Sequence, residues 1–121
     1  MTPRTAEACY REVALVTDVL SARGPALTAI LYGELLDTLR IATHPQRVRV
    51  AGARALGILG ELEGTIGAEE SRFATLMRAI HRHATTLVVA ACRENDPKRI
   101  HMAIEAIAPI AEAWSSLRAR S

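Results

Sequence analysis

Apolar residues recur every three to four positions along most of the chain, which is the period of one face of an α-helix. No segment alternates apolar and polar residues over a useful length, so we expect no β-sheet. The helical pattern is interrupted at Gly24-Pro25, His44-Pro45, Gly64 to Gly67 and Asp96-Pro97. Proline is favoured in the first turn of a helix, and Asp is favoured at the cap before it. Each interruption therefore predicts the end of one helix and the start of the next.

Four helices follow, at Pro25 to Ala42, Pro45 to Thr65, Ala68 to Glu94 and Pro97 to Arg118. Their connections are only a few residues long, and short connections make neighbouring helices antiparallel. The sequence predicts an all-α fold, an up-down-up-down four-helix bundle at residues 25–121. Residues 1–24 form a lead segment or short helix of the same domain. Pro109 lies inside the fourth helix, where we expect a kink.

The predicted inward stripes consist mostly of aliphatic residues, because the chain has only four aromatic ones. The stripes are Leu27, Ile30, Leu31, Leu35, Leu39 and Ala42 on the first helix; Val48, Ala51, Ala55, Ile58, Leu59, Leu62 and Ile66 on the second; Phe73, Leu76, Met77, Ile80, Ala84, Leu87, Val88 and Ala91 on the third; and Ile100, Ala103, Ile104, Ile107, Ile110, Ala111, Trp114 and Leu117 on the fourth. We expect Trp114 to be a core anchor between the first and fourth helices.

Charge and cysteine content exclude several classes of protein. Fifteen basic and thirteen acidic residues are interspersed, giving a net charge of +2 without the basic stripe that a nucleic-acid partner requires. The longest apolar stretch, Leu87 to Cys92, is far shorter than the roughly 20 residues of a membrane span. Cys9 and Cys92 lack ligand spacing and are expected to be free thiols. We therefore expect a cytoplasmic protein without membrane insertion.

The four histidines offer little chemistry. His81 and His83 are two positions apart and point to different sides of a helix, and His101 with Glu105 is a lone pair typical of a solvated surface. We expect no metal, no cofactor and no catalytic site. A histidine-phosphotransfer bundle using His81 or His83 is one alternative, although the lysine expected one turn later is missing. A structural helical dimer and a helical interaction module with a different client also fit the pattern.

Small residues line one face of the second helix, nearly opposite its inward stripe: Ala53, Gly57, Gly60 and Gly64. Each interior glycine costs a helix roughly 0.8–1 kcal/mol relative to alanine. The third helix has a comparable outward strip of Thr75, Ala79, Thr86 and Val89. These strips predict a groove for a guest helix. Alternatively, the glycines are scattered on a weak surface helix, or this face packs against a second neighbour.

Several short motifs occur in the order and spacing of a known family. They are Tyr10 in the lead segment, Ser21 to Pro25, Leu27 to Tyr32, Ile58 to Leu62, and the long stretch from Cys92 through Trp114. The chain resembles the flagellar secretion chaperones over nearly its whole length. The resemblance implies the same helical bundle and a binding function without catalysis.

The chain departs from the family pattern at several positions. Gly33-Glu34 stands where Asp-Gly is usual, and Thr65 to Gly67 where Leu-Asp is common. His81 and His83 replace two tyrosines of the third helix, and Cys92 replaces an asparagine. These departures leave the fold expectation unchanged and the identity of the client open.

The family resemblance implies that the client is the disordered C-terminal region of flagellin, held until flagellar type III secretion, with the export apparatus as a further partner. Tyr10 is expected either to line the client groove or only to pin the lead segment, and Tyr32 to be half core and half surface. The predicted client-binding set is Tyr10, Val13, Leu31, Tyr32, Ala53, Leu56, Gly57, Gly60, Gly64, Thr75, Ala79, Thr86 and Val89.

Overall fold

The computed structural model describes residues 24–120, and this part of the chain forms four helices without a strand. They are α1 (Gly24–Ala42), α2 (Val48–Ile66), α3 (Arg72–Glu94) and α4 (Pro97–Arg120). The predicted all-α fold is confirmed. The lead segment, including Tyr10 and Val13, lies outside the described residues apart from Gly24, which begins α1.

The four helices pack in a ring. Helix α1 packs against α2 and α4, and α3 packs against the same two helices, whereas α2 and α4 meet only slightly across the diagonal. Because successive helices are neighbours joined by short links, they run antiparallel. The up-down-up-down order predicted from the connections is therefore confirmed.

Helix α2 starts three residues later than the sequence predicts. His44, Pro45, Gln46 and Arg47 form a turn in which the Arg47 amide donates to the His44 carbonyl at 2.8 Å, and the helix begins at Val48. Proline is also favoured at the second position of such a turn. Pro45 therefore marks the turn and not the first helical residue.

Helix α3 also starts later than predicted, at Arg72 in place of Ala68. The Ser71 side chain caps this helix by accepting a hydrogen bond from the Ala74 amide at 3.0 Å. Serine at this position satisfies an amide that has no partner within the helix. The capping serine is the sequence signal that the prediction overlooked.

The turn between α3 and α4 follows the prediction. Asn95 adopts the left-handed conformation that ends α3, with φ 51° and ψ 50°. The Asp96 carboxylate accepts a hydrogen bond from the Lys98 amide at 3.0 Å, and α4 begins at Pro97. Helix α4 continues through Pro109 to Arg120.

The core contains most of the predicted stripes, with two errors. Ile30 and Leu76 are exposed, while Tyr32 and His81 are buried in addition to the aliphatic residues. Trp114 is buried as predicted, and its ring stacks on that of Tyr32 with centroids 6.3 Å apart. The core thus contains one polar pair that the stripes did not predict.

Candidate functional site on the outer face of α2 and α3

Three glycines of α2 face open space. Gly57, Gly60 and Gly64 are exposed, and a Cβ atom built on any of them would meet nothing within 4 Å outside its own stretch of helix. Internal packing within residues 24–120 therefore does not require glycine at these positions. The alternative hypothesis is that this face packs against a second neighbour, but no such neighbour lies among the described residues.

A fourth glycine of α2, Gly52, has the opposite environment and was not predicted as a packing residue. A Cβ atom there would lie 2.5 Å from Cys92 Sγ and 3.6 Å from a methyl carbon of Val88. The absence of a side chain lets α2 and α3 approach closely, and Arg49 Nε donates to the Cys92 carbonyl at 3.0 Å beside this contact. The available signal was that Gly52 follows Val48 by four residues and so shares its inward stripe.

The facing residues show how α2 and α3 align. Gly52 faces Cys92 near the start of α2, and Glu63 faces His81 near its end. Residue numbers fall along α3 as they rise along α2, as antiparallel neighbours require. The outward faces of the two helices therefore lie side by side along the bundle.

The two threonines predicted on the outward strip of α3 have hydroxyl groups that are already hydrogen-bonded within the helix. The Thr75 hydroxyl donates to the Ser71 carbonyl at 3.1 Å, and the Thr86 hydroxyl donates to the Arg82 carbonyl at 3.0 Å. Both hydroxyl groups thus bond to the backbone four residues earlier in the chain. With their donors used in this way, the threonines add little hydrogen-bonding demand to the exposed strip.

The remaining predicted residues of these helices are small or half-buried. Ala53 and Ala79 are exposed, while Leu56 and Val89 are half-buried, and Leu56 packs against the core. We use the term outer face for the following set: Ala53, Leu56, Gly57, Gly60, Gly64, Thr75, Ala79, Thr86 and Val89. It is an exposed surface of low relief with few polar groups of its own.

Two predicted site residues of α1 do not belong to this surface. Leu31 is buried, and Tyr32 is wholly buried, so the expectation that Tyr32 would be half surface is wrong. The Tyr32 hydroxyl can be buried because it lies 2.6 Å from His81 Nε2. A buried tyrosine needs such a partner, and a stripe pattern does not reveal it.

A polar chain connects three helices beneath the outer face. Tyr32 of α1 contacts His81 Nε2, and His81 Nδ1 lies 3.4 Å from Glu63 Oε1 of α2. If Nδ1 carries the imidazole proton, Nε2 accepts from the Tyr32 hydroxyl and the Nδ1–H group lies beside the Glu63 carboxylate. Within residues 24–120, Nδ1 has no hydrogen bond of ordinary geometry. The Glu63 carboxylate is thus a close polar neighbour of this nitrogen, at 3.4 Å, that does not complete a hydrogen bond of ordinary geometry.

Burial controls the ionisation of this chain. It lowers the pKa of His81, and the nearby Glu63 carboxylate only partly opposes the change. Burial, with a smaller contribution from Glu63, raises the pKa of the Tyr32 hydroxyl far above its ordinary value. Both pKa shifts favour the neutral forms, in which the Tyr32 hydroxyl and His81 Nε2 share one hydrogen bond in the core.

The described helices offer little support for metal binding or phosphotransfer. Residues 24–120 contain no group of three or more His, Cys, Asp or Glu side chains that could hold a metal ion. A phosphorylated histidine must reach solvent; His81 is 2% exposed, whereas His83 is exposed. The phosphotransfer hypothesis therefore depends on His83. None of the described helices is long and apolar enough to cross a membrane.

The described residues form an all-α bundle whose outer face, on α2 and α3, is exposed and of low relief. The family model described as flagellar protein FliS matches residues 6–121, and the chain belongs to this family. This is the flagellar export chaperone family that the sequence motifs resembled. Comparison with curated proteins and with solved structures gave no match.

Proposed function

We propose that the protein is a cytoplasmic export chaperone that binds the disordered C-terminal region of flagellin on the outer face. Binding there prevents premature polymerisation and keeps the client ready for delivery to the flagellar type III export apparatus. The observation that carries the proposal is the open space above Gly57, Gly60 and Gly64 in a chain of this family.

The three glycines are unfavourable for the isolated chaperone. Each costs roughly 0.8–1 kcal/mol relative to alanine in a helix interior, and no internal contact offsets this loss. A guest helix offers a reason for them, because small residues let two helix backbones approach closely. The client's apolar side chains can then reach Leu56 and Val89 at the bottom of the surface, as in other helix-in-groove complexes.

The proposed test replaces Gly57 and Gly60 together with Leu. The bundle should keep or raise its melting temperature, because leucine is the better helix former and both sites are open. The new side chains would hold the client away from the backbone, so binding of the flagellin C-terminal region should weaken by about ten-fold or more, or at least about 1.4 kcal/mol. Isothermal titration calorimetry with that flagellin fragment measures the change.

Gly33→Leu is the matched control, since Gly33 of α1 is also an exposed helical glycine with nothing within 4 Å of a Cβ atom. It should bind flagellin as tightly as the parent protein. If the parent protein does not bind the fragment, the chaperone proposal fails. If it binds and the double variant binds equally well, the client lies on another surface.

A further inference from the structure

A groove of about 730 Å³ lies between α1 and α2, next to the outer face. Buried Thr38 and Ala51 form its floor, and the turn at Gln46 closes one end. Two of its apolar side chains are strongly exposed, Ile41 at 51% and Val50 at 80%. This exposed apolar surface has no explanation in the packing of the bundle.

The two walls of the groove carry opposite charge. Glu34 and Asp37 line the α1 wall, and Arg47 and Arg54 line the α2 wall. Asp37 makes an exposed contact with Arg40 at 3.3 Å, which is a weak type of ion pair. Glu34, Arg47 and Arg54 make no ion pair with any residue in 24–120. Within residues 24–120, Glu34, Arg47 and Arg54 therefore have no ionic partner and can pair with a ligand, and Asp37 adds a weakly paired charge to the α1 wall.

The length of the groove suits a short helix. From Glu34 to Ile41, and from Arg47 to Arg54, each wall spans about two turns, or roughly 10 Å at 1.5 Å per residue. Two turns present apolar side chains at positions i, i+3 or i+4, and i+7 to one surface. The same two turns cover less than the roughly 800 Å² per partner of a standard protein interface, so a second copy of the chain is a poor occupant.

We propose that this α1/α2 groove binds one amphipathic helix whose apolar strip is bordered by basic residues on one edge and acidic residues on the other. The apolar strip lies on Ile41 and Val50, the basic edge pairs with the α1 wall, and the acidic edge pairs with the α2 wall. Since reversing a helix exchanges its two edges, the charges also fix the direction in which a given helix binds. This site adjoins the outer face along α2, because Val50 is three residues before Ala53 and seven before Gly57, and it differs in having α1 as its other wall.

Three fluorescent, lactam-stapled peptides of about 18 residues test the proposal; the staple maintains a helix that would be marginal at this length. They share one leucine strip and differ only in their edges: one has a lysine edge and a glutamate edge, one has two lysine edges, and one has two glutamate edges. Fluorescence anisotropy with the full chain should show the mixed peptide binding at least about ten-fold tighter than the other two at low salt. This preference should shrink at about 0.5 M salt.

Variants locate the binding site. Val50→Glu should weaken binding of the mixed peptide by about ten-fold or more. Leu76→Glu is the matched change of an exposed apolar residue on α3, and it should leave the affinity for this peptide unchanged. The double variant Arg47→Glu with Arg54→Glu makes both walls acidic and should shift the preference to the peptide with two lysine edges.

Three results would overturn the proposal: equal affinity for the three peptides, no binding at all, or equal losses in the Val50 and Leu76 variants. Analytical ultracentrifugation of the full chain tests whether a second copy occupies the groove. Self-association that Val50→Glu abolishes would assign the groove to that second copy. These measurements use the peptides alone and no flagellin. The fate of this proposal is therefore independent of flagellin binding.

Discussion

The two sides of α2 use glycine for opposite reasons. On the side that meets α3, Gly52 lies where a Cβ atom would come within 2.5 Å of Cys92 Sγ. On the outer face, Gly57, Gly60 and Gly64 have nothing within 4 Å of that position. The first glycine is explained by the folded chain itself, whereas the other three lower helix stability without an internal benefit. A glycine in a helix is therefore informative about function only when its surroundings are known.

Gly52→Leu should have the largest effect on stability. The new side chain must displace Cys92 Sγ and then crowd Val88, and overpacking of this kind costs about 1–3 kcal/mol, more than leucine gains as a helix former. The midpoint of urea unfolding should fall, while that of Gly57→Leu should hold or rise.

A double-mutant cycle isolates the contact with the sulfur atom. Gly52→Ala should be more favourable in a Cys92→Ala background, where it gains up to about 0.8–1 kcal/mol from helix propensity, than in the parent protein. Equal effects in the two backgrounds would show that the sulfur atom does not require glycine at this position.

Alanine at the outer glycines should have a smaller effect of opposite sign. Gly57→Ala and Gly60→Ala should each raise the free energy of unfolding by up to about 0.8–1 kcal/mol, because both sites are open and the unfolded chain loses freedom. Urea unfolding of each single variant measures the gain. A loss of stability at either site would mean that these glycines have a structural role after all.

The smallest expected effect on stability near neutral pH comes from the polar chain of Tyr32, His81 and Glu63 on the inward side of α2. Burial lowers the pKa of folded His81, so the unfolded chain binds the proton more readily. The contribution of neutral His81 to stability is therefore fully present above about pH 6.5, the pKa of histidine in the unfolded chain. This contribution is lost as the pH falls below that value. Urea midpoints between about pH 7 and pH 5 should decline in the parent protein.

His81→Gln should flatten that decline, and His83→Gln, an exposed histidine on the same helix, should not. An unchanged slope in the His81 variant would show that Glu63 supports the charged form well enough to cancel the effect of burial. The outer face has no corresponding buried histidine, so this pH dependence belongs to the inward side alone.

Much of the architecture could be predicted from local signals. The stripes on α2 are buried as predicted, and Asp96-Pro97 marks the start of α4, because the helical period and the capping chemistry depend on nearby residues. The predicted start of α2 at Pro45 was wrong, since proline fits a turn as well as a helix start. Of the predicted site, the structure leaves the α2 and α3 residues on the surface and buries Leu31 and Tyr32.

By itself, the sequence determined the four helices, their order and the family, because periodicity, caps and motif spacing are properties of the chain. It also showed that Gly57, Gly60 and Gly64 point away from the inward stripe. Only the tertiary structure decided that Gly52 is a packing glycine and that Tyr32 is wholly buried against His81. Helical periodicity gives the direction of a side chain, but the space it meets depends on how closely another helix approaches, and that distance is a property of the packed bundle.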